Sequence, residues 1–148
     1  MKKSVVLIII AVYILSVCVV GFFGIKLRLY NETVNPESLE ITKVTLDDSE
    51  IPMKVDNHGV KNAFSVCDAD STVTFKIYYD LLPANTTDKS ILLEYTQNAG
   101  YEVVQAPGEN AVYITFALED VPVSCKLTVK SKLFPQIKDT ILITAVVA

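Results

Sequence analysis

The 148-residue sequence contains one histidine, three cysteines and no tryptophan. His58 is the sole imidazole on which a Ser-His-Asp or Cys-His pair could be built, and it lies in Asn57-His58-Gly59, a sequence typical of a turn. One histidine and three cysteines also provide too few nitrogen and sulfur ligands for a tetrahedral zinc site. Glycine-rich phosphate loops and nucleophile elbows are missing too. We therefore expect no catalytic residues and, apart from the calcium candidate below, no cofactor.

Clustered positive charge is also missing. Residues 31–148 carry 17 acidic side chains against nine lysines, which gives a net charge of −8. Because binding of nucleic acid or anionic lipid headgroups needs grouped lysines and arginines, the sequence predicts neither as the main partner. Five glycines and six prolines exclude collagen-like material, and 51% hydrophobic residues exclude a disordered chain. Twelve lysines against one arginine indicate an AT-rich bacterial genome.

One long hydrophobic run is present. Residues 5–25 contain no charge, and at about 1.5 Å per residue they reach roughly the 30 Å of a bilayer core. Three interpretations are open: a retained membrane span, a cleaved signal peptide, and a lipoprotein signal ending at Cys18. The retained span is favoured, because Phe22 and Phe23 continue the run where cleavage needs small residues. Val17 likewise stands where a lipobox needs a small residue.

The rest of the chain is arranged around this span. Residues 1–4 are predicted to be cytoplasmic, residues 26–37 to form a short juxtamembrane tether, and residues 38–148 to fold outside the cytoplasm.

The folded region has a hydrophobic period of two and no convincing helical stripe, which predicts an all-β domain. In the strand from Val121 to Val129, for example, apolar residues alternate with polar ones. Turn sequences such as Asp47-Asp48-Ser49 separate about eight short strands, and this spacing favours a two-sheet sandwich. The other predicted strands are Leu39 to Leu46, Ala63 to Cys67, Thr72 to Tyr79, Ile91 to Thr96, Glu102 to Ala106, Ala111 to Phe116 and Thr140 to Val147.

Part of this domain resembles a known family. Residues 71–95 include Tyr79-Asp80-Leu81-Leu82-Pro83-Ala84-Asn85-Thr86-Thr87, which is similar to the strand and following turn of the bacterial immunoglobulin-like repeats of invasins and intimins. Val104-Gln105-Ala106-Pro107-Gly108 is similar to a later turn of that repeat. The sequence departs from the family at Ile91, Leu92 and Leu93, where the repeat usually has a tryptophan. The resemblance implies an immunoglobulin-like sandwich and a role in adhesion or surface presentation.

Cys67 and Cys125 are a candidate disulfide, because exported sandwiches often join their two sheets by one bridge. Strand parity argues against it. Cys125 shares the inward face of Leu127, whereas Phe64 and Val66 would face inward and leave Cys67 on the opposite face. A β-bulge could bring the two thiols together, or both cysteines could be small buried hydrophobic residues.

A set of acidic residues is a weak candidate for calcium, which takes six to eight oxygen ligands. The set is Asp68, Asp70, Glu119 and Asp120. The characteristic spacing of a calcium loop is missing, so ordinary solubilising turn residues are the favoured interpretation.

Three tyrosines form a candidate binding patch. Tyr78 and Tyr113 have outward parity in their strands, and Tyr101 lies in a predicted loop. Tyrosine is a favoured anchor in binding surfaces, although it also packs on strand faces.

Together these patterns predict a membrane-anchored, extracytoplasmic, immunoglobulin-like module that binds a protein or a cell-envelope component. The alternative is an accessory subunit of a membrane complex that acts through its transmembrane helix. Gly21 and Gly24, with Ser16 nearby, give that helix only a weak small-residue face.

Overall fold

The computed structural model of the protein describes residues 3–26, 32–68, 72–118 and 122–148. The chain divides into two compact units, Met1–Thr33 and Val34–Ala148.

The first unit contains one helix, α1, at Lys3–Lys26. Its stretch Lys3–Phe23 spans 21 residues with a mean hydropathy of 3.1, which is long and apolar enough to cross a membrane. The same length and composition occur in signal sequences, and the helix lies near the N-terminus. Within it, the Ser16 hydroxyl donates to the carbonyl of Val12 at 2.8 Å.

The second unit consists of strands. Their bounds are β1 Ser38–Leu46, β2 Ser49–Ile51, β3 Met53–Val55, β4 Lys61–Cys67, β5 Thr72–Leu82, β6 Ile91–Tyr95, β7 Tyr101–Gln105, β8 Ala111–Ala117, β9 Val123–Ser131 and β10 Lys138–Val147. The first sheet has the order β2-β1-β5-β8-β7, and the second has the order β3-β4-β10-β9-β6. Every neighbouring pair is antiparallel except β4 and β10, which are parallel.

This strand order is that of an immunoglobulin-like sandwich. The order β1-β5-β8-β7 corresponds to strands A, B, E and D of that fold, and β6-β9-β10 corresponds to C, F and G. The fold class inferred from the period of two is therefore confirmed.

The core between the sheets is built by alternate residues of each strand. Phe75, Ile77, Ile114 and Phe116 come from the first sheet and are fully buried, and the rings of Phe75 and Phe116 pack edge to face at 5.5 Å. Every buried residue of the cluster lies between Leu39 and Ala145. Because all the described core residues belong to the sandwich, we expect it to fold without the helix.

The compact unit begins earlier than the tether prediction placed it. The predicted tether comprises residues 26–37, yet Val34 within it is bonded to Thr87. The Thr87 amide donates to the Val34 carbonyl at 2.9 Å, and the Val34 amide donates to the Thr87 hydroxyl at 2.8 Å. The Glu37 amide also donates to the carbonyl of Leu82 at 2.7 Å. Residues 34–37 are therefore fixed to the connection between β5 and β6, which contains a cis Leu82-Pro83 bond.

In the part of the chain that the structure describes, all eight predicted strands occur with boundaries shifted by a few residues, together with two short strands that the sequence pattern does not reveal. β2 and β3 have three residues each, too few for a period of two to stand out. Asp47 and Asp48 both have positive φ angles, as a two-residue hairpin turn requires, and they join β1 to β2.

The predicted faces of β4 are reversed. Ala63 and Cys67 are buried, whereas Phe64 and Val66 are 58% and 57% exposed. Lys61 has the same parity as Ala63, and its inward side chain bonds to Asp139 at 2.7 Å. A shift of one residue would turn Lys61 outward and break this ion pair, which therefore favours the observed face of β4.

Candidate functional site

The outer face of the first sheet carries two of the three predicted tyrosines. Phe75, Ile77 and Tyr79 of β5 are buried, so Tyr78 and the neighbouring Lys76 point outward. The side chain of Tyr113 on β8 points outward for the same reason, and its residue lies directly opposite Lys76 in the antiparallel pair.

Lys76 connects the two rings. Its ammonium nitrogen lies 4.9 Å from the ring centroid of Tyr78 and 5.4 Å from that of Tyr113. It also lies 2.6 Å from Oε2 of Glu109 in the β7–β8 turn. These four residues, Lys76, Tyr78, Glu109 and Tyr113, are called the tyrosine patch below. Each cation–π contact at an exposed site contributes about 0.5–1 kcal/mol, so two contacts and an ion pair hold the rings in place.

The electrostatics of the patch agree with this geometry. The pKa of Lys76 is raised well above its ordinary value, chiefly by its hydrogen bond with Glu109 and then by Tyr78. Its side chain is 22% exposed and remains charged throughout the neutral range. The patch therefore presents aromatic surface with one cation already neutralised by a carboxylate.

Further residues extend the patch. Val104 on β7 lies opposite Tyr113 and is 48% exposed. At the other side, Lys43 lies 5.9 Å from the Tyr78 ring and 3.8 Å from Glu50. An open groove of about 700 Å³ borders Tyr78 and Glu109. The result is a broad, shallow surface with aromatic, aliphatic and charged elements, as in protein-binding faces.

Tyr101 does not belong to this patch, contrary to its predicted place in a loop. It is the first residue of β7, and its ring packs against Phe116 at 5.7 Å. Its hydroxyl donates to the carbonyl of Thr96. The ring also lies beside Cys125, where burial raises the pKa of the thiol. Tyr101 therefore serves packing, and the candidate site contains two tyrosines.

Cys67 and Cys125 both have free thiols and both face the core. They lie on β4 and β9, which are separated by β10, so their Cα atoms are about two strand spacings of roughly 4.8 Å apart. Cys67 pairs with Val147 of β10 and Cys125 pairs with Ile143, so the two cysteines are also offset by four residues along the strand direction. Since a disulfide needs Cα atoms within about 7 Å, this arrangement does not allow the candidate bridge.

The calcium candidate falls mainly outside the described residues. Asp70, Glu119 and Asp120 lie there, and Asp68 follows the end of β4. Within residues 3–26, 32–68, 72–118 and 122–148, no three acidic, histidine or cysteine side chains are grouped so that they could hold a metal ion. Calcium binding stays a prediction.

His58 lies in a turn, as its sequence predicts. The amides of His58 and Val60 donate to Oδ1 of Asp56 at 2.8 and 2.9 Å, and Gly59 has a φ of 76°. These hydrogen bonds, first from Val60 and then from His58, lower the pKa of Asp56. The arrangement is that of a side chain that stabilises a tight turn.

Sequence reasoning missed two members of the patch. Lys76 already had outward parity between Thr74 and Tyr78, so its position was readable, but a lone lysine carries no binding signal. Glu109 lies in the turn Pro107-Gly108-Glu109-Asn110, and only the tertiary fold brings it to Lys76.

No protein-family model and no curated protein matches the chain. One solved structure, the crystal structure of the titin domains z1z2 in complex with telethonin, is similar with a TM-score of 0.41 and 12% identity. The similarity covers 74% of this chain and 49% of that chain, so this chain spans about half of its length. The strand order identifies the fold without this similarity.

Proposed function

We propose that this chain is a membrane-anchored, non-enzymatic binding module whose tyrosine patch contacts a protein partner outside the cytoplasm. The single observation that carries the proposal is Lys76, held between the rings of Tyr78 and Tyr113 by Glu109.

Preorganisation is the physical reason for this choice. A binding surface must order its side chains, which costs about 0.5–1.5 kcal/mol for each flexible one. At the tyrosine patch, the lysine and both rings are already fixed by mutual contacts. Tyrosine is also among the residues that most often dominate protein–protein binding energy.

The chemistry of the patch supports binding rather than catalysis. Its carboxylate is neutralised by Lys76, and its aromatic side chains provide contact area. Neither group is arranged as a nucleophile with an adjacent base, which covalent catalysis requires.

Two features support an anchored and exported location. The helix α1 is long and apolar enough to cross a membrane. The resemblance of residues 71–95 to invasin and intimin repeats, together with the immunoglobulin-like strand order, also agrees with presentation on a cell surface. Fold alone does not determine function, so the proposal depends on the patch itself.

Site-specific photocrosslinking in cells that express the full chain tests the proposal. Benzoylphenylalanine replaces Tyr113 in one variant and His58, exposed in the turn between β3 and β4, in the other. We expect one discrete protein adduct from position 113 that is missing from position 58. Lys76→Glu should abolish it, because the new carboxylate repels Glu109 and releases both rings.

An equal set of adducts from both positions would contradict a specific patch. So would an adduct that survives Lys76→Glu, or one that consists of glycan without protein.

A further inference from the structure

We propose that the outer face of the second sheet binds an anionic lipid bilayer. This face is called the basic face below, and it consists of Lys54, Phe64, Val66, Lys126, Lys130 and Lys138.

The two outer faces of the sandwich carry opposite charge. On the strands of the second sheet, the outward residues include four lysines and one glutamate, a formal charge of +3. That glutamate, Glu94, is paired with Lys130 at 2.8 Å, which together with Lys138 lowers the pKa of its carboxyl. The strands of the first sheet present four carboxylates, Glu40, Glu50, Asp80 and Glu102, against two lysines, which gives −2.

This segregation changes the conclusion drawn from composition, which argued against anionic lipid headgroups. Residues 31–148 have a net charge of −8, but a surface charge acts over about 8–10 Å at physiological ionic strength. Two packed sheets are already about 10 Å apart before their outer side chains are added. A ligand at the basic face is therefore screened from the four carboxylates of the first sheet and meets the lysines of the second.

Two large apolar side chains project from the same face. Phe64 and Val66 are two residues apart on β4 and more than half exposed. In the parallel register with β10, Val66 lies beside Val146 and Phe64 beside Thr144. β3 pairs with β4 at residues 61–63, and among the described residues no strand flanks the outer edge of β4 at Phe64 and Val66. Exposed apolar groups of this kind, bordered by polar residues, mark interaction sites.

The spacing of the lysines suits a flat anionic surface. Lys54, Asn62, Leu142 and Lys126 form one row across four strands, so the outer two lysines are about 14 Å apart. Lysines near an anionic leaflet each contribute about 1 kcal/mol, while apolar side chains enter the boundary between headgroups and acyl chains. The row of Lys54 and Lys126 lies next to the row of Phe64, so basic and apolar side chains meet on one face and match both layers of a bilayer surface.

Vesicle flotation of the sandwich alone, residues 32–148, tests this inference. The probes are vesicles of phosphatidylcholine with 30% phosphatidylglycerol and vesicles of pure phosphatidylcholine. We expect the sandwich to float with the former at low salt and to release at high salt. Because α1 and the tyrosine patch take no part, the result is independent of the photocrosslinking experiment.

Matched variants locate the binding surface. Lys126→Gln and Lys54→Gln should each weaken partition into anionic vesicles about fivefold. Lys89→Gln, which removes the same charge from the connection between β5 and β6, should leave partition unchanged. Phe64→Ser should weaken partition into anionic vesicles more than either lysine variant does. The partition that Phe64→Ser retains should be abolished by high salt.

Equal partition into both vesicle types, no partition into either, or equal effects of Lys126→Gln and Lys89→Gln would overturn the proposal. Retention of full binding by Phe64→Ser would also contradict it, since the apolar pair would then lie outside the contact.

Discussion

The ammonium of Lys61 lies 2.7 Å from Oδ2 of Asp139 and joins β4 to β10, with both side chains about 15% exposed. The same ammonium donates to the carbonyl of Ile41 at 2.7 Å, while Asp139 accepts from the amide of Ile41 at 2.8 Å. One ion pair therefore ties β1 of the first sheet to two strands of the second.

Removing one partner of this ion pair should destabilise the sandwich. Because a largely buried carboxylate is left without its cation, Lys61→Ala is expected to lower the free energy of unfolding by about 3 kcal/mol. Urea denaturation of residues 32–148 measures it. Lys130→Ala, which breaks the more exposed pair with Glu94, should cost no more than about 1 kcal/mol. Equal losses in the two variants would contradict the structural role of Lys61.

Two phenylalanines test which strand faces meet the core. Phe116 is fully buried and Phe64 is 58% exposed. Phe116→Ala should lower the free energy of unfolding by about 3–5 kcal/mol, whereas Phe64→Ala should change it by about 0.5 kcal/mol or less. Thermal and urea unfolding of both variants provide the measurement. A large loss of unfolding free energy in Phe64→Ala would indicate that Phe64 faces the core, as the sequence predicted for β4.

Asp56 is expected to make stability depend on pH. Its carboxylate accepts hydrogen bonds from the amides of Val60 and His58, which lower its folded pKa. The contribution of its charge is therefore complete above the unfolded pKa and is lost as pH falls through the lower folded value. The stability difference between the wild type and Asp56→Asn should shrink as the pH decreases below about 4. A difference that stays constant down to pH 2 would contradict this role.

The thiols should behave as reduced and protected groups. Cys67 and Cys125 are free and buried, so residues 32–148 should react slowly with a thiol reagent when folded. After unfolding without a reductant, two thiols per chain should react at once. Titration with Ellman's reagent measures both stages. Thiols that react with the reagent only after reduction would contradict the observed separation of β4 and β9.

Local patterns predicted most of the sandwich. The alternation of Val112, Ile114 and Phe116 identified an inward face, and the same parity placed Tyr78 and Tyr113 outside. The inverted faces of β4 could not be read locally, because Phe64 and Val66 are more apolar than Ala63. The inward face is favoured by the ion pair of Lys61 with Asp139, which is distant in sequence.

The candidate site was predictable only in part. Tyr78 and Tyr113 followed from strand parity, whereas Glu109 reaches Lys76 through the tertiary fold. Tyr101 directly follows the turn sequence Asn98-Ala99-Gly100, which favours a loop, and its packing on Phe116 has no local signal. The segregation of lysines onto the basic face likewise depends on which strands share a sheet.

The central claim, a retained helix that displays the sandwich outside the cytoplasm, is tested most directly by labelling intact cells. Glu102→Cys places a thiol on the exposed outer face of β7 in a Cys18→Ala background, and Cys67 and Cys125 stay protected in the core. The parent Cys18→Ala chain is the control. With a membrane-impermeant maleimide, we expect rapid label on Glu102→Cys at the full-length mass in the membrane fraction. Label that appears only after lysis, or on a shortened chain released from the membrane, would contradict the account.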